Sequence, residues 1–330
     1  MFKSILRRLL ALCVSIVMLG LMQSGAVAWG GPGHRIIVRV AMWRLEQLHA
    51  DNASNKVKKI LGNFNDNYIN AVTWPDTVRY AGPKYDYADD WHFVDIRKND
   101  TQYNAQLDCG QKVTTRKDNK QVGQCLVEGL RYTRGVLADE TYDPELRYEA
   151  LKYILHFMGD MHQPLHCATD NDGGGNGKYV CFFGQCFDPS KDKAPRNKNL
   201  HSMWDSYMIA RQMQLKWPNQ NNQWEVLYAR MLEEKIQTLS ASELAAIESD
   251  DPKNQIVAWV NESHMLARDR AYKLPSAPVT KYNPYDQQSY KYYVVGNNDD
   301  YYKNNIVVVD EQLMKAGLRL AAYLRQIFPG

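Results

Sequence analysis

The chain has 330 residues, with 40 lysines and arginines against 37 aspartates and glutamates, a formal charge of +3. That length suffices for a packed core in one large unit or two smaller ones, and so small an excess supplies no polycation for gripping nucleic acid by composition alone. The excess sits at the very start: Lys3, Arg7 and Arg8 precede any acidic residue, and without the first 28 residues the balance is 37 to 37.

This basic start is followed by the apolar run Leu9 to Met22 and then by Ala26-Val27-Ala28. A charged head, a short apolar middle and a small-residue cleavage site predict a secretory signal peptide over residues 1–28, removed to leave Trp29 first. The run is short for a membrane span and no stop-transfer segment follows, so no integral membrane association is expected after cleavage. The expected location is secreted, extracellular or periplasmic, where thiols tend to pair. Cys13 leaves with the signal, and Cys109, Cys125, Cys167, Cys181 and Cys186 remain. Cys181 and Cys186 flank a short turn, and Cys109 and Cys125 bracket a polar loop, which makes each a candidate pair. Cys167, beside His166, is then left over as a buried thiol or an extra metal ligand, and the sequence leaves the connectivity open.

Residues 33–49 carry Ile36, Ile37, Val40, Ala41, Leu45 and Leu48 at helical spacing. A polar patch at 51–58 leads into a short helix ending near Leu61. Residues 62–122, with Pro75, Pro83 and many Asn, Asp and Tyr, read as irregular. Helical patterns return at 124–138 and 144–162, the second opened by Pro144 and striped by Leu151, Ile154, Leu155 and Met158. Residues 168–200 read as a long loop containing Gly173, Gly174, Gly175 and Gly177, with room for a small hairpin. Helices follow at 201–214, 223–239, 241–248 and 253–272. Residues 274–305, rich in Pro, Tyr and Asn, are expected to wrap the surface before a last helix at about 309–327. The expectation is a mostly α fold, a single helical domain over 29–330 with long irregular loops and room for one small β-hairpin.

Candidate chemistry concentrates in His156 to His166, read as HFMGDMHQPLH. His156 and Asp160 are four apart and share a helix face. Pro164 breaks the helical path, so His166 can turn back to the same point, as zinc ligands do. A helix end with two solvated histidines and a capping aspartate would show the same pattern. His201 and Asp205, however, repeat the four-residue spacing. With Asp76 in Thr-Trp-Pro-Asp and His92 in Trp-His-Phe-Val-Asp, the set exceeds one tetrahedral zinc and suggests a multinuclear site. His162 points to another helix face and reads as a supporting residue. His49 and His264 read as ordinary surface or packed residues. Asp170 to Gly173 faintly suggests a calcium loop, but its twelfth position is Cys181 rather than glutamate, and the nearby glycines lack the Gly-Lys-Ser/Thr of a P-loop. Asn52, Asn99 and Asn261 each begin an N-x-S/T pattern.

Five stretches in order carry a resemblance. They are Trp29 to His34 (Trp-Gly-x-x-Gly-His), Trp74 to Arg79 (Trp-Pro-Asp-x-x-Arg), Trp91 to Asp95, His156 to His166, and Asn199 to Asp205. In these the chain resembles the zinc-dependent single-strand nucleases and 3′-nucleotidases of fungi and plants, which share a helical fold and a three-zinc centre with bacterial phospholipase C. Residues 206–330 match only as a helical remainder. The resemblance implies three Zn2+: one on Asp76, His92, His156 and Asp160; a second on His166, His201 and Asp205; and a third on the amino group and carbonyl of Trp29, on His34 and on the other oxygen of Asp160. It implies hydrolysis of single-stranded RNA and DNA to 5′-mononucleotides, and of 3′-nucleotides, by in-line attack of a zinc-bound hydroxide. It gives Arg79 the transition-state charge, Phe93 a stacking role against the base, and Asp95 a hydrogen bond to the base edge. Bottom-up, a planar guanidinium suits phosphate oxygens, and stacking tolerates any base. No stable protein partner is implied. Cys181 to Pro195 departs from the pattern and would reshape the rim of the cleft. The same ligands could serve a phospholipase C acting on lipid head groups, although the tryptophan motifs favour the nuclease branch. A non-enzymatic zinc module fits less well, because structural sites are usually closed and often use cysteine.

Overall fold

The computed structural model describes residues 29–330 except 80, 187–197, 249–254, 276, 284–286 and 297–298. The expected signal peptide and part of the Cys181 to Pro195 piece therefore lie outside the described residues. Helices dominate. In chain order they are α1 (Gly31–Gln47), α2 (Asp51–Gly62), α3 (Tyr68–Ala71), α4 (Trp74–Val78), α5 (Ala105–Asp108), α6 (Leu126–Ala138), α7 (Pro144–Asp160), α8 (Leu200–Ser202), α9 (Met208–Lys216), α10 (Trp224–Gln237), α11 (Ala241–Ile247), α12 (Gln255–Leu266) and α13 (Tyr301–Ile327).

α7 is the axle. Asp143 caps it by accepting from the backbone N–H of Glu145 and Leu146 at 2.9 and 3.3 Å, and Pro144 fills the first turn, where no N–H is needed. Every residue from Glu149 to Asp160 is buried, as befits a helix enclosed on all sides. α6, α1, α2 and α13 pack around it. The apolar stripe of α1, with Ile36, Ile37, Val40, Ala41 and Leu45, is fully buried. α13 runs alongside α1 so closely that a Cβ on Gly317 would sit 2.7 Å from Val40 Cβ. One continuous apolar core extends from Trp29 to Phe328.

Among the described residues the sheets are small. β1 (Lys112–Thr114) and β2 (Gln121–Gly123) form an antiparallel hairpin with Val113 opposite Val122. A second sheet has the order β3-β5-β4. In it β3 (Tyr179–Phe182) runs parallel to β5 (Gln288–Val295), while β4 (Val279–Asn283) pairs antiparallel with β5. The disulfides are Cys109–Cys125 and Cys181–Cys186, and Cys167 is free and buried.

Three expectations need correction. Residues 62–122 hold α3, α4, α5, a 3-10 turn and the first hairpin, because asparagine caps at Asn67 and Asn104 start short helices where composition suggested loop. The 274–305 stretch carries the β4–β5 hairpin rather than only wrapping the surface. The last helix starts at Tyr301, earlier than expected. Asp299 accepts from the Tyr301 N–H at 2.9 Å, and the Tyr301 hydroxyl is buried between Trp204 and the Ala271 carbonyl.

Candidate metal centre

Six segments meet at the C-terminal end of α7. α1 brings His34 and α4 brings Asp76, while a 3-10 turn over Asp86–His92 ends on His92. α7 itself presents His156 and Asp160 one turn apart. Another 3-10 turn, Pro164–Cys167, carries His166. α8 bears His201 and runs into a π-helical turn, Met203–Tyr207, that bears Asp205; such turns recur at functional sites.

Within the first group, His156 Nε2 lies 3.4 Å from Asp76 Oδ1, 3.3 Å from Asp160 Oδ2 and 3.1 Å from His92 Nδ1. His92 Nδ1 is 3.0 Å from Asp160 Oδ2 and 3.7 Å from Asp76 Oδ1. The other oxygen of Asp160 faces away, 3.2 Å from His34 Nε2. Asp160 thus addresses two sides with one carboxylate. In the second group, His201 Nε2 and His166 Nε2 lie 3.2 and 3.8 Å from the two oxygens of Asp205. These side chains are buried, Asp76 somewhat less than the rest.

Three of the rings are tethered by their outer nitrogen. Nδ1 of His156, His166 and His201 each donates over 2.7 Å to a backbone carbonyl, of Val72, His92 and Gly174 respectively. That fixes each ring's orientation and aims Nε2 inward, the usual support of a metal-ligating histidine.

Divalent cations fit this arrangement. His34 Nε2, both oxygens of Asp76, Asp160 Oδ1, His166 Nε2 and Asp205 Oδ2 are buried without a hydrogen-bond partner, a costly state for polar atoms unless something else satisfies them. Donor atoms come within 4.8 Å of one another in three sets: His34, Asp76 and His156; His92, His156 and Asp160; His166, His201 and Asp205. Imidazole nitrogen with carboxylate oxygen is a donor set suited to zinc and its neighbours. The first two sets share His156, so the His34 side interlocks with the Asp76 side instead of standing apart.

The electrostatics agree. Burial disfavours the charged form of His156, yet the carboxylates of Asp160 and Asp76 outweigh it and raise the ring to about 10. Burial likewise works against ionised Asp160, but the charge on His156 and hydrogen bonds from the surrounding rings hold it well below the usual carboxylate range. Burial pushes His92 down to about 4. The cluster thus keeps its carboxylates ionised and concentrates a displaceable proton on His156, and a cation entering there releases that proton.

Beside the second group opens a pocket of about 240 Å³ lined by Arg79, Phe93, Asp95, His166, Asn176 and His201 among others. In residues 93–96, Val94 and Ile96 are buried, the Ile96 N–H donates to the Val94 carbonyl at 3.0 Å to close a tight turn at Asp95, and Phe93 and Asp95 line the pocket. The Val94 N–H donates to the His166 carbonyl at 2.8 Å, locking this segment to a candidate ligand turn. Among the described residues Arg79 has no carboxylate within ion-pair distance, although its half-buried side chain borders the pocket. Trp29 is fully buried, and the next N–H, of Gly30, donates to the Asp205 carbonyl at 2.7 Å.

Sequence reading missed the supports. Gln163 donates from its amide to Asp205 Oδ1 and accepts from the Leu165 N–H at 2.6 Å; its place just before Pro164 was the available signal, since a polar side chain there caps the turn. Gly159 and Gly174 leave room for rings: a Cβ on Gly159 would sit 2.5 Å from His34 Nδ1, and one on Gly174, at φ +63°, would sit 2.5 Å from the Leu165 carbonyl. His162 lies off the cluster, donating to Met158 and accepting from Arg319 at 3.0 Å. His264 is packed between the Cys167 and Asp100 carbonyls, and His49 is exposed at the end of α1.

Comparison with known proteins adds an independent line. The family model described as S1/P1 Nuclease matches residues 29–329. Endonuclease 3 of Arabidopsis thaliana is 27% identical over 330 residues, 96% of this chain and 94% of its own length. Endonuclease 2 of the same plant is 29% identical over 187 residues, 55% of this chain and 56% of its own length. Nuclease S1 of Aspergillus oryzae is 29% identical over 181 residues, covering 54% of each.

Proposed function

The chain belongs to the S1/P1 nuclease family, and from that premise we propose that it is a secreted, trinuclear-zinc phosphodiesterase. It hydrolyses single-stranded RNA and DNA to 5′-mononucleotides and also removes phosphate from 3′-nucleotides. The observation that carries this reading is three adjoining histidine–aspartate sets, the third of which, through His166 and His201, lines a pocket that also presents the Arg79 guanidinium and the Phe93 ring.

Asp76, His92, His156 and Asp160 would hold one zinc; His166, His201 and Asp205 a second; and His34, the second oxygen of Asp160 and the Trp29 amine and carbonyl, freed by cleavage after Ala28, a third. Bound there, zinc supplies Lewis acidity and lowers the pKa of water toward 7. The protein supplies the rest. Arg79 meets the phosphate oxygens with a planar fork. Phe93 stacks on a base without choosing among bases, and Asp95 accepts from the base edge. The backbone tethers on His156, His166 and His201 hold the donors in place between turnovers. Fraying single strands present such a splayed base readily, whereas a duplex must first unstack one.

The test uses protein beginning at Trp29, incubated with single-stranded RNA and DNA with and without a zinc chelator. The expected result is chelator-sensitive release of 5′-mononucleotides. No release from folded protein carrying three zincs would end the proposal, and phosphocholine release from lecithin vesicles would redirect it to the phospholipase alternative.

A further inference from the structure

Phe93 and Asp95 border two pockets, not one. On the side away from the metal ligands they help to line a second cavity of about 330 Å³ whose other walls are Asp90, Leu107, Asp108, Gln111 and Gln124. Its floor is fixed covalently and by backbone: the Cys109–Cys125 disulfide closes the loop that supplies Gln111 and Gln124, the Gln124 N–H donates to the Gln111 carbonyl at 2.9 Å, and the Leu126 N–H donates to the Phe93 carbonyl at 2.9 Å. The ridge formed by Phe93 and Asp95 is therefore shared between the two cavities and anchored on both sides.

We propose that this second cavity is a base subsite for the nucleotide adjoining the one held beside the metal centre, and that it favours bases bearing an exocyclic amino group. The inference rests on the nuclease reading and deepens it to substrate selectivity. Its chemistry excludes the phosphates of a nucleic acid. Asp90, Asp95 and Asp108 accept hydrogen bonds and repel anions, so a phosphate is turned away and the backbone stays on the side of Arg79. Leu107, 66% exposed, and the Phe93 ring offer apolar contact to a base face. Amino groups of adenine, cytosine or guanine donate to the carboxylates, while uracil and thymine offer only their N3–H, flanked by two carbonyls that meet acceptors with acceptors. The amides of Gln111 and Gln124 can serve either edge, so the carboxylates set the preference. The volume accommodates a base and its sugar, and continuity with the first pocket places it one nucleotide away.

The test compares adenosine 3′-monophosphate, which needs only the metal-side pocket, with single-stranded oligoadenylate and oligouridylate. Wild type should cut oligoadenylate with the lower KM. Asp108→Asn and Gln111→Ala should each raise that KM about fivefold and narrow the preference over oligouridylate, with adenosine 3′-monophosphate hydrolysis unchanged. Asp108 Oδ2 also accepts from the Asn104 N–H at 2.6 Å, so the exposed Gln111 variant guards against a local folding defect. Unaltered oligonucleotide KM in both variants overturns the subsite. So does an equal loss on the mononucleotide. Anisotropy titration of labelled oligoadenylate reads the subsite without turnover: affinity that depends on Asp108 and Gln111 in a protein that cuts nothing would keep the subsite and remove the nuclease reading, and affinity indifferent to both would remove the subsite.

Discussion

The ammonium of Lys152 lies 3.5 Å over the ring of Trp74 and 4.0 Å over that of Tyr148. Lys152 is almost fully buried on α7, and no carboxylate lies within ion-pair distance among the described residues. A cation held by aromatic faces is worth up to about 2 kcal/mol when desolvated. Trp74 opens α4, the helix that carries Asp76 and leads to Arg79, so the clamp sets where those side chains sit. Lys152→Met keeps the volume and removes the charge. Turnover should fall by roughly tenfold while the midpoint of thermal unfolding stays near wild type, because the lost cation–π contact and the relieved burial of charge offset each other. Burial lowers Lys152 to about 8, below its value of about 10.4 in the unfolded chain. Between those values the unfolded chain binds more protons, so this residue makes wild type gain stability as pH rises from 8 toward 10.4. Unfolding curves at pH 8 and 10 should show that gain in wild type and not in Lys152→Met.

Gly159→Ala tests how tightly the centre is packed. The added methyl would sit 2.5 Å from His34 Nδ1, and the ring is enclosed with no exposed surface. His34 stacks on His156 with ring centroids 3.9 Å apart, so it cannot retreat without pushing the His156 ring. A loss of about 2 kcal/mol is expected from overpacking. Metal content by elemental analysis should drop by at least one ion per chain, whereas the same substitution at Gly135, with open space around it, should change nothing.

Gln163→Ala removes the donor to Asp205 and leaves every candidate metal-binding side chain in place. Outer partners of this kind are worth about 10–100-fold in metal affinity. Zinc titration should show one weakened site and the others at wild-type affinity. Uniform weakening of every site would mean that Gln163 acts through the fold and not through Asp205.

The ion-pair group that joins α12 to α13 should govern acid stability. Glu262 meets Lys315 at 2.5 Å and Arg319 at 2.6 Å. Burial opposes its ionised form, but the Arg319 charge and the Lys315 hydrogen bond prevail and lower it to about 2. Its folded pKa is below its unfolded one, so the contribution is complete above about 4.5 and is lost as pH falls toward 2. Glu262→Gln should cost about 2 kcal/mol at pH 7, and the difference from wild type should shrink in urea melts run below pH 4.

The clustering of the candidate donors was legible because it is local in sequence: His156 and Asp160, like His201 and Asp205, advertise a shared face by spacing alone. The joins between segments were not. Nothing in Val72 announces that its carbonyl will orient His156, since any residue has a carbonyl and only the packing of α3 against α7 brings it there. Gln163 and Gly159 sit inside the most informative stretch yet serve by contact with residues far along the chain. Composition misled at 274–305 because tyrosines beside asparagines suit a loop and an amphipathic hairpin alike, and partners on β3 decide between them. The long final helix was placed but begun too late, since its first turn is held by the partners of Tyr301 and not by aliphatic periodicity.

The close approach of Val40 and Gly317 has a consequence for timing. The first and last long helices are each other's neighbours, and contacts between such distant residues form only after a costly loop closure. The helix that bears His34 therefore has no finished bed until α13 has left the ribosome. A chain still lacking α13 holds His34 without the packing that fixes it, and the His34 side of the candidate centre assembles last.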